Sequence, residues 1–212
     1  MFKIIHFTGA TAWGFYVLID QNYMPTFLGG KGDLLNMWEG YPYPKHAYQL
    51  KELLLILMGY HAGGLLTHFI QPRRTDFLEM ALHHMVSVFL YGGCYIYNAW
   101  EIGAVIALIH DIADITTSMI KVLAETSYTI TTVVIFLFHM ALWFYTRNYG
   151  LPLAIMKILE SNISFGTPYN LNMFVFMLCC LVLLHYWWFY LFIVHLIKFA
   201  KKGTTENHMD RI

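Results

Sequence analysis

Two helix-length apolar stretches, residues 77–97 and 102–123, carry ionisable side chains in their interiors, and no other feature limits the fold as tightly. The first holds the adjacent pair His83 and His84, the second His110, Asp111 and Asp114. If lipid surrounds these stretches, each charge costs about 3 kcal/mol at the helix centre, so such groups turn inward, pair with one another, or serve a function. The surroundings are indeed apolar: 58% of the chain is hydrophobic and 12% charged, against about 25% charged in soluble domains. Thirteen basic and thirteen acidic residues cancel, so the net charge offers nothing to a nucleic acid. Three cysteines, Cys94, Cys179 and Cys180, lie in apolar segments without metal-ligand spacing, and a disulfide framework is not expected.

In chain order the pattern predicts an all-α, polytopic membrane protein of about six spans around a central polar pocket. Residues 4–19 form a short first segment; Lys3 precedes it, but Trp13, Phe15 and Tyr16 stand where a signal peptide would carry small residues, so it reads as a retained span. Residues 20–47, rich in Gly and Pro, read as a surface connection with Trp38, Tyr41 and Tyr43 in an interfacial aromatic belt. Further spans are expected over 48–70, 77–97, 102–123, 128–145 and 171–199. Gly59, Gly63 and Gly64 allow close helix approach in the second. The 146–169 stretch reads as a loop with an interfacial piece at 155–159. Six spans put Lys3, Arg73, Arg74, Lys121, Lys198, Lys201, Lys202 and Arg211 on the side of the termini, and Lys31, Lys45, Lys51, Arg147 and Lys157 opposite. Eight against five favours termini on the cytosolic side. No second domain is evident: residues 1–212 read as one transmembrane domain, with a polar tail at 203–212.

His110 and Asp114 are four residues apart, Asp111 and Asp114 three, so they share a helix face that Ser118 and Lys121 continue. On the preceding helix Ser87 and Tyr91 continue the face of His83 and His84. In an antiparallel pair the two sets meet at one depth, roughly 10 Å inside the basic face. A carboxylate beside an imidazole orients its tautomer and supports it as base or nucleophile, which outlines acyl-transfer chemistry. His and Asp also ligate zinc or iron, but no His-x-x-x-His or Glu-x-x-His pair occurs in this stretch, and no metal is expected. The scattered His6, His61, His68, His139, His185 and His195 read as core or interfacial partners, and the aromatic run 186–190 as lipid-facing packing.

His83-His84, Tyr95, Asn98, Gly103, His110-Asp111, Asp114 and Lys121 resemble the motif of the TLC domain family and, within it, the ceramide synthases. The likeness continues in Tyr41-Pro42, Tyr48-Gln49-Leu50, Arg73 with Asp76-Phe77, Thr146-Arg147 with Pro152, and Leu184-His185 with Trp188 and Tyr190, and covers residues 38 to about 202. It implies a membrane N-acyltransferase of the endoplasmic reticulum whose helices enclose a tunnel for an acyl chain or sphingolipid, with acyl-coenzyme A as co-substrate and no bound cofactor. His83, His84, His110, Asp111 and Asp114 would then be catalytic, with Ser87, Tyr91, Asn98, Ser118, Lys121, Arg73 and Arg74 as substrate contacts; Arg73, Arg74 and Lys121 would meet the phosphates.

Three departures point another way: Ser87 replaces the motif's Thr, Glu101 reverses the charge of its Arg, and Ser118 replaces its Glu. Met1 and the tail Gly203–Ile212 have little of their own to pack on, which other protein subunits would supply. The second reading is therefore a catalytically degenerate accessory subunit, structural or lipid-binding, in a large membrane assembly such as a mitochondrial respiratory complex.

Overall fold

The computed structural model describes residues 2–73, 76–161, 163 and 168–202, and every named element among them is helical. The order is α1 (Phe2–Leu18), α2 (Leu50–Ile70), α3 (Phe77–Ile96), α4 (Trp100–Leu123), α5 (Thr129–Trp143), α6 (Leu151–Glu160) and α7 (Pro168–Lys202). Among the described residues four stretches are long and apolar enough to cross a bilayer: Leu50–Ile70, Trp100–Leu123, Thr129–Glu160 and Leu171–Lys201. The chain is an all-α polytopic membrane protein. Of the other two expected spans, α1 is 17 residues long and α3 carries Glu79, His83 and His84 along its 20.

α4 is the central post: 72% of its apolar window is buried, against 22% for α2 and for Thr129–Glu160, whose outer faces remain for lipid. α1 and α2 pack against it on one side and α5 on the other, with α3 and α7 completing the wall. Gly103 makes the α4 contact close, because a Cβ there would stand 2.8 Å from Leu54 Cδ1 and 3.1 Å from Cys94 Sγ. α2 stops at Gln71, whose extended backbone (ψ 156°) is what the following Pro72 requires.

The connection after α1, expected as a surface segment, is compact. It folds into a cap of two 3-10 turns, Thr26–Leu28 and Leu34–Trp38, with Asp33 Oδ1 accepting from the Leu35 N–H at 2.9 Å to start the second. Met24, Leu34, Met37 and Trp38 are buried beneath it, so Trp38 is core and not interfacial belt; Tyr41 is half-buried and Tyr43 exposed. Burial first, and the Glu101 carboxylate second, push the Tyr23 phenol well above its usual range. The cap is fastened by Trp13 Nε1 donating to Gln49 Oε1 at 2.9 Å, and by His46. The two His46 ring nitrogens contact Glu101 Oε1 at 2.7 Å and Asn98 Oδ1 at 2.8 Å.

The expected loop at 146–169 is corrected over most of its length. α5 runs through a π-helical turn, Phe144–Gly150, into α6, and Ile155 and Ile158 of the supposed interfacial piece are buried against the core. Gly150 and Pro152 suggest a break, but the wider turn absorbs the proline. The Leu151 N–H reaches back to the Thr146 carbonyl, and the Asn148 carbonyl accepts the Tyr186 hydroxyl at 3.0 Å.

Candidate active site

The π turn aims Arg147 inward, and this overturns its placement among the far-side loop charges. Its side chain is 2% exposed; Nη2 donates to Asp114 Oδ1 and to the His110 carbonyl, each at 2.7 Å, and its guanidinium lies 3.9 Å from the Trp143 ring centroid. A buried cation so placed needs its carboxylate, and removing either partner strands the other.

Around this pair four helices contribute imidazoles. The His61 ring of α2 lies 5.5 Å from that of His83 and 5.4 Å from that of His84, with the Nδ1 atoms of His61 and His84 hydrogen-bonded at 3.2 Å. The His83 ring is 6.5 Å from His110 of α4 and 6.3 Å from His185 of α7, and those two are 4.9 Å apart. His110 Nδ1 donates to the Ile106 carbonyl at 2.6 Å. His83 Nδ1, His110 Nε2 and both nitrogens of His185 are buried with no hydrogen-bond partner among the described residues. Buried polar atoms are seldom left so, and their concentration marks a place for a polar ligand or water.

Two cavities meet at this cluster. One, of about 90 Å³, is lined by His61, His83, His84, Asp114, Ser118, Arg147 and Trp188, and its mouth carries Lys3 and Lys121. The other, of about 30 Å³, runs between α3, α4 and α7 and is lined by His61, His83, Ser87, Tyr91, Cys94, His110 and Phe174. The first joins basic groups to imidazoles and a carboxylate; the second is apolar but for the atoms at its head.

The structure therefore brings together His83, His84, His110, Asp114, Ser87, Tyr91, Ser118 and Lys121. The Ser87 hydroxyl donates to the His83 carbonyl at 2.8 Å. Asp111 is buried beside them but lines neither cavity. Asn98 is corrected: it forms the left-handed turn (φ 56°) between α3 and α4 at the capped end, and its side chain is engaged by His46 and by the Pro42 carbonyl, its Nδ2 donating to the latter at 2.9 Å. Arg73 is exposed with its guanidinium 5.2 Å from the Phe77 ring, and Arg74 lies outside the described residues.

Arg147, His61, His185 and Trp188 join this cluster; the sequence marked Arg147, His185 and Trp188 only as part of the family likeness and His61 as a scattered core partner. Trp188 is buried against His83, ring centroids 5.6 Å apart, whereas Tyr186, Trp187 and Tyr190 keep the exposed faces expected of the run. The remaining histidines behave as expected. His6 stacks on Tyr60, His68 donates to the Phe77 carbonyl, His139 bonds Thr116 and His195 bonds the Leu191 carbonyl. Among the described residues no three His, Cys, Asp or Glu side chains converge on a point that could hold a metal ion.

Comparison with known proteins adds a lineage to this geometry. The family model described as TLC domain matches residues 1–194. Mouse ceramide synthase 4 is 29% identical over 192 residues, 85% of this chain and 49% of its own length. Human ceramide synthase 4 is 29% identical over 195 residues, 87% of this chain and 50% of its own. The Schizosaccharomyces pombe protein sphingosine N-acyltransferase lac1 is 30% identical over 153 residues, 70% of this chain and 37% of its own. The chain spans about half the length of the first of these relatives. Helices arranged about a buried His and Asp centre, together with a match over nearly the whole chain, place this protein in the TLC-domain family.

Proposed function

We propose that this chain is a ceramide-synthase-like N-acyltransferase of the endoplasmic reticulum membrane, transferring a fatty acyl group from acyl-coenzyme A to the amine of a sphingoid base. The observation that carries the reading is the single cavity lined by His83, His84 and Asp114, with Lys3 and Lys121 at its mouth and an apolar cavity behind it. Phosphates suit the lysines, the thioester suits the imidazoles, and an acyl chain suits the Ser87, Tyr91 and Phe174 walls. The similarity to a protein named sphingosine N-acyltransferase supports the same assignment.

In this reaction the amine nitrogen forms a bond to the thioester carbonyl carbon as the carbon–sulfur bond breaks. The amine proton passes to an imidazole and leaves with the coenzyme A thiol. His83 and His84 supply that imidazole, either as general base or as transient acyl carrier, and Asp114, held by Arg147, balances the charge that develops. The apolar cavity, about 30 Å³, has room for about one water, so acyl-chain entry parts α3, α4 and α7. The test is amide formation by the purified protein from a long-chain acyl-coenzyme A and a sphingoid base, with His84→Ala and Asp114→Asn as controls.

A further inference from the structure

We propose that α2 provides the seat that orients His84, with His61 as a positioning residue for the imidazole and Gly64 as the space it occupies. Neither residue belongs to the expected catalytic set, and the functional consequence rests on the acyl-transfer reading.

His61 and Gly64 are three residues apart and therefore share the α2 face turned toward α3. The Nδ1 atoms of His61 and His84 are 3.2 Å apart. A Cβ on Gly64 would stand 2.8 Å from His84 Cε1 and 3.2 Å from each ring nitrogen, so the Nδ1–Cε1–Nε2 edge of the ring occupies the space that a side chain there would take. One contact holds a nitrogen and the other leaves room for the ring. A single proton lies between the two Nδ1 atoms, so the bond commits His84 Nδ1 and leaves Nε2 for other chemistry, with its ring in the wall of the cavity. A partner that fixes an imidazole's tautomer and orientation changes the rate at the reacting group without touching substrate.

Two readouts test the seat, one of which needs no turnover. The first is the rate at which diethyl pyrocarbonate modifies His84 in the purified full chain, read by peptide mass spectrometry. His61→Phe, which keeps a ring but no hydrogen bond, is expected to change that rate by about threefold or more, and His61→Gln, which can still donate and accept, to stay near wild type. The second is acyl transfer: His61→Phe is expected to lower kcat about tenfold with little change in the acyl-coenzyme A KM, and His61→Gln to recover most of it. If the Phe variant does not fold, His61→Leu, close to the imidazole in volume and without a hydrogen-bonding group, takes its place. Equal His84 modification in the apolar and Gln variants, including none in either, overturns the proposal, as does an equal loss of kcat in both. Should no variant, wild type included, form amide while His84 reactivity shifts as expected, the seat stands and the acyl-transfer reading falls.

Discussion

Arg147 Nη2 and Asp114 Oδ1 are 2.7 Å apart across the α4 interface with the π turn, and the same nitrogen reaches the His110 carbonyl. One side chain thus fixes both the carboxylate facing the cavity and the backbone of the helix carrying His110, Asp111 and Asp114. Arg147→Met strands the Asp114 carboxylate and is expected to cost about 3–5 kcal/mol, on the order of 10 °C in a chain of this length. Arg147→Met combined with Asp114→Asn should recover much of that loss. Thermal unfolding in mild detergent of the two single variants and the double variant measures the coupling.

Gly63 and Gly64 are adjacent but differ in what surrounds them. A Cβ at Gly63 meets nothing within 4 Å, whereas one at Gly64 meets the His84 ring. Gly63→Ala should be neutral or raise stability by up to about 1 kcal/mol through helix propensity. Gly64→Ala should displace His84 and lower acyl transfer at least about tenfold. Comparing thermal midpoints and turnover for the two variants separates the effects.

Glu101 stands where the resembled motif carries Arg, and His46 Nδ1 meets its carboxylate at 2.7 Å. His46→Leu leaves that carboxylate buried without its partner and should cost about 3 kcal/mol, while His46→Leu with Glu101→Leu should cost less than His46→Leu alone. Chemical stability of the two variants in detergent decides it.

Tyr186 ties α7 to the π turn by donating its hydroxyl to the Asn148 carbonyl. Tyr186→Phe should therefore lose about 1–3 kcal/mol, the cost of an unsatisfied buried acceptor. A Tyr190→Phe control, at an exposed position, should change little.

Where one helix carried several ionisable groups, the site was legible, because three- and four-residue spacings put His110 and Asp114 on one side of α4 and His83 and His84 opposite them. His61 and His185 were not legible: each shares its apolar helix with one other histidine, His68 or His195, that bonds a backbone carbonyl elsewhere, and convergence of separate helices leaves no spacing to read. Arg147 was concealed by local rules that favour a loop near Gly150 and Pro152, which the π turn satisfies within a helix. The cap over residues 20–47 was missed because its Gly and Pro content marks turns without saying that Met24, Leu34 and Trp38 fill the core beneath them. Asn98 takes a left-handed turn and makes cap contacts, a placement that the resemblance alone does not reveal.

The most direct measurement is mass-spectrometric detection of N-acyl product after the purified protein is incubated with long-chain acyl-coenzyme A and a sphingoid base. The account expects amide from wild type, and a rate lower by about 100-fold or more in both His84→Ala and Asp114→Asn, the scale on which general acid–base groups act. No amide with any long-chain base, or undiminished amide in either variant, would contradict it.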